Sequence, residues 1–310
     1  MTSSAADRLR DALDTPPYRA MMARLAPLQL RPPALEQHVV RDALGGVTRR
    51  RFRKTIRLEK FAPSLGDEFF DWLGLFESVL EARGPYVMVE LGAGYGRWTA
   101  FAAQLCRALG RPLGCLVACE AEPMHHRWLL QHLGDNGVDP SAHRMIRAAV
   151  SDRRGRAPFY VGAAAEWYGQ SLTSRAARAS GVAGWLRRLG RAPGVMEEVA
   201  MVETVTLADI LAGDLPTVDF MHVDIQGVEF DVFRPAMELM SSKVRRVHVA
   251  IHSATTEAAA GRDLDVLVAG LFEEQGWTNL QRARPGETRD LHERAVMFND
   301  GVQVWRNPRL

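Results

Sequence analysis

The chain is poor in cysteine, with three in 310 residues: Cys106, Cys115 and Cys119. An odd number in apolar or helical surroundings fits reduced thiols packed as small core residues and argues against a disulfide framework. Cys115 and Cys119 have no second Cys or His pair at finger spacing, which argues against a structural zinc site. The sequence also lacks any apolar run of roughly 18 residues or more, so no membrane span is expected. Its first residues carry no apolar stretch behind a basic start, and a cytoplasmic location is expected. An excess of either charge is missing too. The 39 Lys and Arg against 37 Asp and Glu leave a net charge of +2, which fits neither a nucleic-acid binder that is basic throughout nor an acidic disordered chain. Internal repeats and low-complexity tracts are absent.

What is there is enough chain for one large α/β core with a modest appendage. Residues 1–84 read as a helical, irregular N-terminal appendage. In it, Ser4 would cap a helix over 5–13, and Pro16, Pro17, Pro32 and Pro33 interrupt the pattern. A basic run follows (Arg49, Arg50, Arg51, Arg53, Lys54, Arg57), which is either a solvated face or a clamp for an acidic or phosphorylated substrate carrier. An amphipathic helix is expected around 67–82, carrying Phe69, Phe70, Trp72, Leu73, Phe76 and Leu80. Apolar helices ahead of a core make a second copy of the chain a candidate partner.

From Tyr86 short apolar runs alternate with helices, the signature of a parallel sheet covered on both faces. Strands are expected at 86–91, 114–119, 144–149, 218–224 and 246–252, with helices at 100–109, 124–133 and 230–240, the last disturbed by Pro235. Two stretches break this rhythm. Residues from about 162 to 200, with Trp167, Tyr168 and Trp185, are too long for a simple connection and read as an inserted helical lid. Residues 294–305, around Asn299-Asp300-Gly301, read as an antiparallel hairpin. The expected fold is thus a mostly parallel, twisted, Rossmann-like sheet over 85–310, with a C-terminal antiparallel hairpin and a helical N-terminal appendage.

The segment Val87-Met-Val-Glu-Leu-Gly-Ala-Gly-Tyr-Gly96 is an apolar strand that ends in an acid and a glycine-rich turn. Arg97 stands where a dinucleotide fingerprint needs its third glycine, so a pyrophosphate cradle is disfavoured. Glu90 is instead suited to an ammonium group such as that of methionine. Backbone N–H groups of Gly92, Ala93 and Gly94 suit the matching carboxylate. Glu120 closes the next strand, beside Ala121, where a carboxylate accepts hydrogen bonds from ribose hydroxyls. Glu122 reads as an exposed charge at a helix start. Ala149 and Val150 can line an adenine slot, and Asp152 either meets the adenine amine or forms a turn. A tight βα turn whose glycines merely relieve crowding is the plain alternative for the first motif.

The fourth strand brings His222 and Asp224 to one face and the fifth brings His248 and His252, since side chains alternate with period two. If the cofactor is S-adenosylmethionine, methyl transfer to a hydroxyl needs the acceptor held in line and its proton removed. His252, with Asp224 as its orienter and His222 nearby, is the candidate base. Asp224, Glu229 and His252 could instead hold Mg²⁺, which would acidify the hydroxyl directly. Both readings stay open.

These residues resemble the FkbM family of S-adenosylmethionine-dependent methyltransferases. The resemblance runs over about 86–308 and rests on Val89-Glu-Leu-Gly-Ala-Gly94, Glu120-Ala-Glu-Pro123, Ala148-Ala-Val-Ser-Asp152, Thr206-Leu-Ala-Asp209 and His222-Val-Asp-Ile-Gln-Gly-Val-Glu229. It implies a class I methyltransferase fold and O-methylation of a sugar or secondary metabolite, with a small molecule or glycan as acceptor. The chain departs from the family in having His222 and Gln226 where Lys and Glu are common around the fourth-strand aspartate. A non-catalytic scaffold that keeps the fold is the alternative from another class. A nicotinamide dehydrogenase is disfavoured by Arg97.

Overall fold

The computed structural model describes residues 30–161, 198–252, 263–291 and 295–310, with residues 23 and 28. The expected helix at 5–13, nearly all of the expected lid, and Ser253 lie outside the described residues. Among the described residues no helix is long and apolar enough to cross a membrane.

Between residue 30 and the amphipathic helix, the described residues form short strands and 3-10 turns. Three short strands, β1 (Ala34–Leu35), β2 (Val39–Arg41) and β3 (Val47–Arg49), form an antiparallel sheet, and 3-10 turns follow at Arg50–Phe52 and Leu58–Phe61. The expected amphipathic helix is α1 (Phe69–Glu81). Its apolar residues recur at helical spacing, so Phe69, Trp72, Phe76 and Val79 all turn inward. They pack with Met88, Phe220, Val302 and Val304 of the main sheet in one core cluster. Arg246 fastens the far end of α1, reaching Glu77 at 2.7 Å and Glu81 at 2.8 Å. Although it precedes residue 85, α1 covers one face of the central sheet.

Beyond α1 the chain runs β4 (Tyr86–Leu91), α2 (Arg97–Ala108), β5 (Leu113–Cys119), α3 (Pro123–Asp135), β6 (Arg144–Ile146), β7 (Ala149–Val150), β8 (Gly155–Val161), β9 (Glu198–Val205), α4 (Leu207–Leu211), β10 (Phe220–Val223), α5 (Glu229–Phe233), α6 (Met237–Lys243), β11 (Arg246–Ile251), α7 (Leu264–Glu274), β12 (Thr278–Ala283), β13 (Thr288–Asp290), β14 (Ala295–Met297) and β15 (Gly301–Arg306). The central sheet has the order β12-β15-β11-β10-β4-β5-β6. From β6 to β11 every pairing is parallel, and β15 runs antiparallel to both neighbours. Every residue of β4 is buried, as expected of a strand with helices on both sides. This is the doubly wound, Rossmann-like arrangement of class I methyltransferases, with one antiparallel strand near its edge.

Several local differences have plain causes. Pro235 cannot donate an amide and crowds the preceding turn, so the helix expected at 230–240 becomes α5, a 3-10 turn at Arg234–Ala236 and α6. The third expected strand also divides: β6 stays in the main sheet, and β7 pairs with β9 in a side sheet beside β8. The antiparallel end is present, but its hairpin joins β13 to β14, and Asp300-Gly301 leads into β15 between β11 and β12. Thr206 and Asp209 form a reciprocal capping box that starts α4.

Candidate active site

The carboxyl ends of β4, β5 and β10 open into a cavity of about 640 Å³, within the range of small-molecule sites. Its wall brings together Glu90, the Gly92–Gly94 turn, Glu120, Ala121, Ala149 and Val150 at one end. Asp224, Gln226, Asn299 and Asp300 also line it, as do His222 and His248. All eight residues expected to hold the cofactor therefore face one space. His252 does not line it.

At the cofactor end, Glu120 is buried and held from both sides. Its Oε2 accepts the Gly94 N–H at 2.7 Å and its Oε1 the Glu122 N–H at 2.8 Å. Burial pushes its carboxyl up to about 8, and the nearby Glu122 and Glu90 add to this against the two backbone bonds. Each oxygen keeps a lone pair for a further donor. Ala149, Val150 and Phe159 supply an apolar wall beside it. Asp152 takes no part there: it is an exposed turn residue paired with Arg153. Glu122 is buried rather than exposed, because its carboxylate caps α3 by accepting the His125 N–H at 2.5 Å.

The glycine-rich turn is built differently from expectation. The Gly92 and Ala93 amides both donate to the Cys119 carbonyl at 3.0 Å, and the Gly94 amide goes to Glu120. A ligand carboxylate would have to find other donors. Gly92, at φ 77°, is required by its neighbour: a Cβ there would lie 1.9 Å from the Asp224 carbonyl oxygen. The motif thus docks the first strand's turn against the exit of β10. Glu90 accepts the Thr99 N–H at 2.8 Å and also the Thr99 hydroxyl, which ties it to the start of α2, and burial raises its carboxyl above the usual range. Arg97 points away from any phosphate role, bonded to Glu68 at 2.8 Å and stacked over Trp98 at 4.6 Å.

At the other end His252 is ringed by acids. Its Nδ1 lies 3.2 Å from Glu229 Oε1, and its Nε2 lies 3.4 Å from Asp224 Oδ1 and 3.7 Å from Asp300 Oδ1. Burial would lower the imidazole pKa, but the Glu229 hydrogen bond and the three carboxylate charges raise it to about 9. Gln226 threads this cluster, donating to Asp224 Oδ1 at 2.8 Å and lying 3.0 Å from His252 Nε2. A neutral ring would accept the amide N–H there. The charged ring, favoured near neutrality, turns its own N–H to the carboxylates and needs the amide oxygen instead. Gln226 is also the one described non-glycine residue at positive φ, 60°, a strained position of the kind that functional sites retain.

The structure bears on two sequence expectations. His252 lies behind the cavity wall, and the acids around it raise its pKa, an arrangement that does not favour it as the base. Asp224, with a side chain 42% exposed, is the member of the pair that faces the cavity. Nor is a Mg²⁺ site at Asp224, Glu229 and His252 supported: among the described residues their donor atoms do not converge as an ion requires, and Mg²⁺ prefers oxygen donors to an imidazole. The third candidate, His222, is engaged elsewhere. Its Nε2 meets Asp71 Oδ1 at 2.9 Å, and its ring stacks on His248 with centroids 4.9 Å apart. Burial lowers the His222 pKa, but the hydrogen bond and charge of Asp71 outweigh it and raise the pKa overall. Sequence reasoning missed Asp71, which stands 151 positions before His222, and gave Gln226 and Asp300 no role.

A family model described as "Methyltransferase FkbM domain" matches residues 90–277. The chain belongs to the FkbM methyltransferase family. A Jannaschia sp. (strain CCS1) protein with the provisional name of methyltransferase is 26% identical over 242 residues, covering 77% of this chain and 79% of that protein. Among solved structures, the precorrin-6y C5,15-methyltransferase of Geobacter metallireducens GS-15 aligns with a TM-score of 0.37 at 11% identity, covering 76% of this chain and 85% of its own. A Pyrococcus horikoshii protein described as an RNA methyltransferase aligns with a TM-score of 0.36 at 11% identity, covering 92% and 96%. At such scores the fold assignment rests on the sheet order of this FkbM chain and not on those likenesses.

Proposed function

We propose that this FkbM-family chain is an S-adenosylmethionine-dependent O-methyltransferase whose acceptor is a hydroxyl of a sugar or secondary metabolite. The observation that carries the reading is the single cavity with Glu120 at one end and Asp224 at the other. The residues at the first end fit the cofactor: a buried carboxylate with spare lone pairs suits vicinal ribose hydroxyls, and the Ala149, Val150 and Phe159 wall suits an adenine face. The cofactor supplies a methyl group on a sulfonium. Glu90 adds negative charge beside the turn, where an ammonium would be stabilised.

Asp224 then takes the acceptor hydroxyl proton onto its carboxylate. His252, held by Glu229, fixes the orientation of that carboxylate through charge. The basic run divides between two tasks. Arg49 binds Asp135 and Arg50 binds the Gln37 carbonyl, whereas Arg53, Lys54 and Arg57 line the cavity. Those three cations suit an acceptor that carries an acidic group, and a cavity of this size suits a small molecule or the end of a glycan. The test is methyl transfer from labelled S-adenosylmethionine to a panel of hydroxylated acids and sugars. Asp224→Asn should lower kcat by about 100-fold or more, the usual scale for a lost general base, with cofactor binding retained. Transfer at wild-type rate in Asp224→Asn would refute the assignment.

A further inference from the structure

A second set of ionisable groups lies on the cavity floor. Parallel pairing places Glu90 of β4, His222 of β10 and His248 of β11 side by side in one register. They project from the same face of the sheet, and α1 lays Asp71 over them. His222 and His248 are 3% and 1% exposed. His222 Nε2 lies 2.9 Å from one Asp71 oxygen and His248 Nε2 3.4 Å from the other, while neither nitrogen of His248 nor the Nδ1 of His222 has a hydrogen-bond partner. Orphaned buried polar atoms are costly. Of these atoms, His248 Nε2 is the one turned toward Asp71, at 3.4 Å without a hydrogen bond, and is the donor an ion at this point would engage.

The geometry points to a divalent transition-metal site made by Asp71, His222 and His248. One donor atom from each lies within 4.8 Å of the other two, and among the described residues this is the group that so converges. An ion with bonds of about 2.0–2.2 Å holds its ligand atoms about 3.3 Å apart, a spacing these side chains reach by small rotations. Two imidazoles and one carboxylate suit Zn²⁺ or Fe²⁺ and not Mg²⁺, which prefers oxygen donors. Three protein ligands leave coordination open on the cavity side, where an acceptor oxygen could enter. Asp71 precedes the family match, which begins at residue 90, so the ion would clamp the N-terminal segment onto the methyltransferase domain. This inference does not depend on which acceptor is used.

The test uses the tag-free full chain, stripped of metal and titrated anaerobically with Co²⁺, Zn²⁺ or Fe²⁺. Calorimetry gives the stoichiometry, and the Co²⁺ ligand-field bands report the donor set. The expected result is about one ion per chain with nitrogen and oxygen donors. Asp71→Asn and His248→Asn should each weaken binding by at least about 100-fold, because loss of an outer partner alone costs about 10–100-fold. Circular dichroism on each metal-free variant checks its fold, and the wild-type titration stands whether or not the variants fold. No binding by the wild type would overturn the proposal. So would binding that survives in folded variants, or binding that Cys115→Ser abolishes.

Discussion

Replacing His252 by glutamine removes the imidazolium from among Asp224, Glu229 and Asp300. The folded pKa of about 9 against about 6.5 in the unfolded chain is a shift of about 2.5 units, worth about 3 kcal/mol at about 1.36 kcal/mol per unit. Because the folded value is raised, this stability is fully present below about pH 6.5 and is lost as pH rises through 9. Glu120 and His222 also titrate abnormally, so the informative quantity is the difference between wild type and His252→Gln. Urea unfolding at intervals from pH 6 to 9.5 should show the variant about 3 kcal/mol less stable at pH 6, with the gap closing as pH approaches 9.5. A gap that stays constant with pH would mean that the ring is neutral and held only by packing. That result would remove the charge argument against His252 as base.

Gly92→Ala should destabilise by about 2–5 kcal/mol in the same unfolding assay, combining the left-handed backbone cost with overpacking against the Asp224 carbonyl. Cofactor affinity should rise with pH toward about 8, by about tenfold per unit below it, because ribose hydroxyls need Glu120 ionised and burial holds its pKa at about 8; calorimetry at pH 6, 7 and 8 measures this. Burial pushes the Cys106 thiol up to about 12 and the Cys119 thiol higher still. A thiol reagent at pH 8 should therefore label no more than Cys115 in the native chain and all three cysteines after unfolding.

The parts legible in the sequence were those written in local periodicity. The run at 86–91 is the strand Tyr86–Leu91, since a fully buried parallel strand is a short, nearly continuous apolar run, here broken only by Glu90 near its carboxyl end. That Glu120 and Ala149–Val150 would meet at one cavity was legible because strand ends in such a sheet converge on one rim. What stayed hidden depended on partners far apart in the chain. Nothing near Asp71 in sequence shows that it will meet two histidines, and a histidine's charge state is set by the acids that fold around it, which is why His252 read as a base. The short strands ahead of α1 escaped because two- and three-residue pairs carry no period.

The most direct measurement of the central claim is calorimetric binding of S-adenosylmethionine to the wild-type chain and to Glu120→Ala. The account predicts binding by the wild type and affinity about 10–100-fold weaker in the variant, the scale of lost hydrogen bonds to a charged group. No heat of binding with the wild type, or equal affinities for both proteins, would contradict it.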